Sequence, residues 1–156
     1  MPQSPPELIA TFEGLDWTPE IVQVFRGDAW PTDTRVSAVT CILYSGSDLV
    51  LVDVATRGWD IPGGHTNEGE SPYDTLEREL LEEVGARAFE YSRPVLLGWL
   101  RVGGVAPRIL PCFTANLVTV RPLTTQVPDE IRAVRLFSPT DLPPEVPARV
   151  WYPLLK

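Results

Sequence analysis

The chain has little of what several common designs require. Its two cysteines, Cys41 and Cys112, are too few for a disulfide scaffold. Both sit in apolar, strand-like runs (39–44 and 109–115), so buried free thiols and a reducing compartment are expected. The single histidine, His65, follows a glycine in a loop; a solvent-facing ring is the plain reading, and phosphate contact or proton transfer the sharper one. No apolar run approaches eighteen residues, and Met1-Pro2-Gln3-Ser4-Pro5-Pro6 has neither a basic start nor an apolar core. No membrane partner is therefore expected, and the reading is a soluble, cytoplasmic protein. Basic charge is also scarce: 13 Lys and Arg against 21 Asp and Glu give a net charge of −8. That balance argues against polymeric nucleic acid, whose binding depends on neutralising phosphates. A free nucleotide stays open, because a bound metal inverts the local charge. There are no repeats and no low-complexity linker, and 156 residues suit one domain of common size, with a homodimer left open.

Acid is plentiful, and it is concentrated. Glu68, Glu70, Glu77, Glu79, Glu82 and Glu83 fall within sixteen consecutive residues, 68–83. At about 100° per residue, Glu79, Glu82 and Glu83 share one arc of roughly 100° on a helix. Like charges at this spacing repel by a few tenths of a kcal/mol per pair, and a surplus of carboxylates is what hard divalent cations bind. The local signals agree on a helix over 72–84. Pro72 suits a first helical position, Ser71 can cap the free amides with Asp74 three residues on, and Gly85 supplies a left-handed stop. Leu76, Leu80 and Val84, with Leu81 nearby, form the apolar stripe, and the acids and Arg78 take the other side. Gly63, Gly64 and Gly69 are spaced for a loop whose backbone can approach a ligand closely. A merely solvated acidic face explains neither this glycine spacing nor the isolated Arg78, which is read as orienting its neighbouring carboxylates.

These residues carry a resemblance. Gly64, five residues, Glu70, seven residues, then Arg78-Glu79-Leu80, one residue, Glu82-Glu83, one residue, Gly85-Ala86 matches the signature of the Nudix hydrolases at every fixed position. With background frequencies of about 5–7% per residue type, a chance match is on the order of one in a million. The resemblance is close over 64–86 and looser from about 35 to 142. It implies an α/β/α sandwich with a mixed β-sheet, and hydrolysis of a diphosphate bond in a nucleoside diphosphate linked to another moiety. It further implies Mg2+ or Mn2+ held by Glu79, Glu82 and Glu83, with the Gly64 carbonyl as an extra ligand and Glu70 and Arg78 in support. The general base is left between a box glutamate and a later acid, for which Glu130 stands forward and Asp129 competes.

The remaining elements are read more coarsely. Residues 1–34 form an N-terminal extension packed on a domain of 35–156, with a short helix expected over 20–25 after Trp17-Thr18-Pro19-Glu20. Strands are expected over 36–44 and 49–55, joined by Ser45-Gly46-Ser47-Asp48, then over 93–102, 109–120 and 131–137, with 149–155 helical. The substrate could be a nucleoside triphosphate, a nucleotide sugar or similar. The five tryptophans are each read first as packing and second as a stacking surface for a base. The tail from Asp141 resembles that of the branch that cleanses oxidised nucleoside triphosphates, but Glu145, Val146 and Pro147 stand where that branch has an asparagine. Two other readings are carried: a non-catalytic nucleotide sensor, which usually loses box glutamates that this chain keeps, and an isomerase of the isopentenyl diphosphate type, which needs an activated cysteine.

Overall fold

Alternating apolar residues along the central strands dictate a sheet covered on both faces. In the computed structural model, which describes residues 5–155, Cys41 and Leu43 of β4 (Ala38–Ser45) face one core and Ile42 faces the other. β5 (Asp48–Val54) repeats the pattern, with Val50, Val52 and Val54 on one side and Leu49 and Leu51 on the other. The two strands meet at a two-residue turn in which Gly46, at φ 61°, takes a positive-φ position that a side chain would strain.

The other strands are β1 (Glu7–Phe12), β2 (Val22–Arg26), β3 (Arg35–Val36), β6 (Gly58–Asp60), β7 (Gly63–His65), β8 (Val95–Val102), β9 (Arg108–Asn116) and β10 (Ile131–Phe137). They form one mixed sheet in the order β1-β2-β8-β9-β4-β5-β10, with β3 against β9, β6 against β5 and β7 against β4. β4 and β3 run parallel to β9, and the other pairings are antiparallel. Helix α1 (Pro72–Val84) covers one face, burying Leu76, Leu80 and Val84 completely or nearly so. Each such side chain contributes about 1.5–3 kcal/mol. The fold is therefore α/β with a mixed sheet. Among the described residues the opposite face is covered not by a second α-helix but by 3-10 turns at Val146–Ala148 and Tyr152–Leu155 and the residues between them, which bring in Val146, Trp151 and Leu154. No helix of the described residues is long and apolar enough to cross a membrane.

The helix expected over 20–25 is a strand, β2. Val22 and Val24 are fully buried while Gln23 is not, a period of two rather than 3.6, and β2 pairs with β8 from Val22 opposite Val102 to Arg26 opposite Gly98. Thr18 does cap a turn, its Oγ1 accepting from the Glu20 amide at 3.2 Å, but no helix follows. β1 and β2 thus extend the main sheet. The strand expected to reach 120 ends at Asn116, and 149–155 supplies only a 3-10 turn. Met1 to Ser4 and Lys156 lie outside the described residues.

One arrangement unforeseen in sequence holds α1 from its C-terminal end. Gly85, at φ 72°, closes the helix by donating to the Leu80 and Leu81 carbonyls. The Glu82 carbonyl accepts from the Gln126 amide at 2.7 Å, and the Gly85 carbonyl from Arg121 Nη2 at 2.6 Å. Arg121 also forks onto buried Glu90, with both contacts at 2.6 Å. The Arg121 bonds, followed by the Arg87 amide, lower the Glu90 pKa to about 2. Because its folded pKa is depressed, Glu90 contributes stability above its unfolded value near 4.5 and loses it as pH falls towards 2. Arg121→Met should therefore lower the melting temperature at pH 7, and the gap from wild type should close in scans between pH 4.5 and 2. A gap independent of pH would assign the loss to packing alone.

Candidate active site

The site is assembled on the second half of α1 and on β7 beside it. Ser71 caps the helix: its Oγ accepts from the Asp74 amide and Asp74 Oδ2 accepts from the Ser71 amide, both at 3.1 Å. Starting the helix there places Glu79 and Glu83 on successive turns beneath β7, at 9% and 8% exposure. Glu82, whose side chain is 38% exposed, points further out. The Gly63 amide donates to Glu83 Oε1 at 2.7 Å. Gly64 lies so close over Glu79 that a Cβ on it would run into the carboxylate.

Arg78 ties the acids together. Its Nε and Nη2 fork onto Glu70 at 2.7 and 3.0 Å, and its Nη1 reaches Glu79 Oε1 at 2.8 Å and Glu82 Oε2 at 3.4 Å. Nη2 also donates to the His65 carbonyl at 2.9 Å, fixing β7 to the helix. The Arg78 bonds, then the Asn67 amide, lower the Glu70 pKa to about 2. Burial acts oppositely on the inner pair. It pushes Glu83 up to about 8 against the Gly63 amide, which favours the charged form, while Glu79 and Glu130 add to the rise. Burial likewise raises Glu79 against the pull of Arg78, and the charges of Glu82 and Glu130 add to it. In both carboxylates burial outweighs the partner that favours the charge, Arg78 for Glu79 and the Gly63 amide for Glu83.

The sequence-read residues are brought together unevenly. Glu70, Arg78, Glu79, Glu82, Glu83 and Gly64 form one unit. Glu130 stands at the foot of β10 with its carbonyl accepting from Ala55 at 2.9 Å, exposed, and its charge reaches both inner glutamates. His65 and Asp129 are exposed. Among the described residues no three His, Cys, Asp or Glu side chains are gathered tightly enough to ring a cation; the Arg78 guanidinium stands between Glu79 and Glu82 instead. Cys41 and Cys112 are completely buried, and burial raises both thiols, Cys112 to about 12.

A polar knot beside the site was missed in sequence. Asp60 Oδ1 accepts from the Ile61 amide at 2.8 Å and from Trp151 Nε1 at 2.7 Å, and Oδ2 takes Arg57 at 2.9 Å. Arg149 lies 3.8 Å from Asp60 and donates to the Arg57 and Trp59 carbonyls. Glu145, standing in the tail that resembles an oxidised-nucleotide branch, accepts from the Trp59 amide at 3.0 Å and so holds β6. Nothing local in the sequence marks this knot, because its partners lie about ninety residues apart.

The chain has the fold of the Bacillus subtilis pyrophosphohydrolase BsRppH, with 23% identity, a TM-score of 0.66, and 86% of this chain and 80% of that one covered. It is also similar to a MutT NUDIX hydrolase from Burkholderia pseudomallei, with 21% identity, a TM-score of 0.61, and 78% and 96% covered. A C. elegans Ap4A hydrolase is a third such structure, with 18% identity, a TM-score of 0.54, and 66% and 80% covered. No curated protein sequence matches the chain. The family model described as the NUDIX domain matches residues 34–155, and with the complete motif on α1 and β7 this means that the chain belongs to the Nudix family of hydrolases.

Proposed function

We propose that this protein is a metal-dependent hydrolase that cleaves a diphosphate bond in a nucleoside diphosphate linked to another moiety, such as a nucleoside triphosphate or a nucleotide sugar. The observation that carries the reading is the buried pair Glu79 and Glu83 beneath Gly63 and Gly64. Two carboxylates at 9% and 8% exposure, whose burial outweighs the Arg78 and Gly63 partners that favour their charge, are costly unless a cation is there to be bound. The donor set suits Mg2+ or Mn2+: it is all oxygen, and the bare Gly64 lets the Glu79 carboxylate lie against β7. Glu79, Glu82 and Glu83 would hold the ion, with the Gly64 carbonyl beside them. Bound there, it would polarise the diphosphate oxygens and acidify water. Arg78 and Glu70 keep the glutamates aimed, and Glu130 orients and deprotonates the attacking water.

A sensor without catalysis finds no support in a motif that retains every carboxylate. The isomerase reading loses its cysteine, since neither thiol is accessible or activated. The deciding experiment incubates a panel of nucleoside triphosphates, nucleotide sugars and dinucleoside polyphosphates with the protein and Mg2+, with and without chelator. Phosphate, pyrophosphate or nucleoside monophosphate should appear only with the metal. Product formation unaffected by chelator, or absent for every compound, would refute the proposal.

A second expected result separates the candidate bases. Glu130→Gln should lower kcat by on the order of a hundredfold, the usual worth of a positioned acid or base, with KM little changed. Asp129→Asn and His65→Ala should remain within a few-fold of wild type. If Glu130→Gln were normal while a neighbour failed, the role would pass to that neighbour.

A further inference from the structure

The face of the sheet opposite α1 opens into a pocket of about 600 Å3 that reaches Gly63 and Gly64 at its rim. Part of its wall comes from residues 15–17, in the loop between β1 and β2 and outside the stretch that matches the family. Trp17 is the odd member among the five tryptophans. Trp99 and Trp151 are buried, Trp30 packs on Tyr73 and Phe113, and Trp59 packs on Phe137. Trp17 is 47% exposed and, among the described residues, meets no other ring. A large aromatic held at the mouth of a pocket without a packing partner is a surface for a flat ligand.

The charges decide what kind of group fits. A polyphosphorylated moiety needs several unengaged cations. Here Arg57 is taken by Asp60 and Arg149 by Asp60 and two carbonyls. Arg108 alone among the lining arginines has no carboxylate partner within the described residues. The rest of the wall is largely apolar, with Ile61, Leu100 and Leu110 among it. We propose that this pocket takes the nucleobase of the substrate, stacked on Trp17, so that the N-terminal segment sets which nucleotides are accepted. This rests on the hydrolase reading above. It assigns the nucleoside, not the group linked to it, to the face opposite the metal-side helix.

The test is binding as well as turnover. Wild type, Trp17→Ala and Trp17→Phe are titrated calorimetrically with nucleoside monophosphates and with inorganic pyrophosphate, without divalent metal, and their kcat and KM are measured on the best substrate of the panel. Trp17→Ala should weaken nucleoside monophosphate binding and raise KM about tenfold, the scale of base stacking on an aromatic side chain, with kcat within about twofold. Trp17→Phe should keep most of the affinity, and pyrophosphate binding should be the same in all three proteins. Equal monophosphate affinity in wild type and Trp17→Ala would overturn the inference, as would an equal loss for pyrophosphate. If wild type hydrolyses nothing, the functional reading fails on its own, and the monophosphate titration still decides the pocket.

Discussion

Glu83→Gln is expected to lower kcat by on the order of a thousandfold while leaving the melting temperature unchanged or raised. The two effects have one cause. Glu83 is 8% exposed, and burial pushes its carboxyl up to about 8, so the fold disfavours the charge that the proposed chemistry requires. Glutamine has nearly the same shape and can still accept the Gly63 amide, which lies 2.7 Å from Oε1, so little packing is lost and a buried charge is removed. Catalytically, a carboxylate that holds a divalent cation contributes several kcal/mol of transition-state stabilisation, and each ~1.4 kcal/mol is tenfold in rate. Turnover with saturating Mg2+ and thermal melts in metal-free buffer read the two sides separately. Near-normal turnover would remove Glu83 from the site. A drop of many degrees in the melt would make it a structural residue whose catalytic loss is indirect.

The same opposition of stability and function explains what could be read from sequence. α1 was legible to the residue, because capping by Ser71 and Asp74, the Leu76, Leu80 and Val84 stripe and the Gly85 stop are all local chemistry within fifteen residues. Its acidic face was legible because it violates what a stable helix would choose. The central strands were legible from their apolar runs. β2 was not: Thr18, Pro19 and Glu20 carry a helix-start signal, and only the distant pairing of Val22 with Val102 reveals the strand. The loop that clamps the helix end through Gln126 and Arg121, and the Asp60 knot closed by Trp151 and Arg149, are equally non-local. Local signals thus located the chemistry. The wall that faces it, from Trp17 to Trp151, is written in long-range contacts alone.

Gly63 and Gly64 should respond oppositely to the same added methyl group. A Cβ on Gly63 would meet the Val39 carbonyl and the Thr40 Cα, both backbone of the central strand β4, so the main chain itself must shift. Gly63→Ala is therefore expected to destabilise by about 1–3 kcal/mol, the usual scale of overpacking, and to lose activity only as folded protein is lost. A Cβ on Gly64 meets a side chain instead, the Glu79 carboxylate. That group can rotate away, but only by leaving Arg78 Nη1 at 2.8 Å and the position proposed for metal binding. Gly64→Ala should then cost little in melting temperature and about a hundredfold in kcat, as a misplacement near 1 Å does at a preorganised site. Raising Mg2+ should recover part of the loss in Gly64→Ala and none in Gly63→Ala. If Gly64→Ala turned over normally, Glu79 could not be a carboxylate that must stay where β7 holds it, and the arrangement proposed for the metal would fail at that residue first.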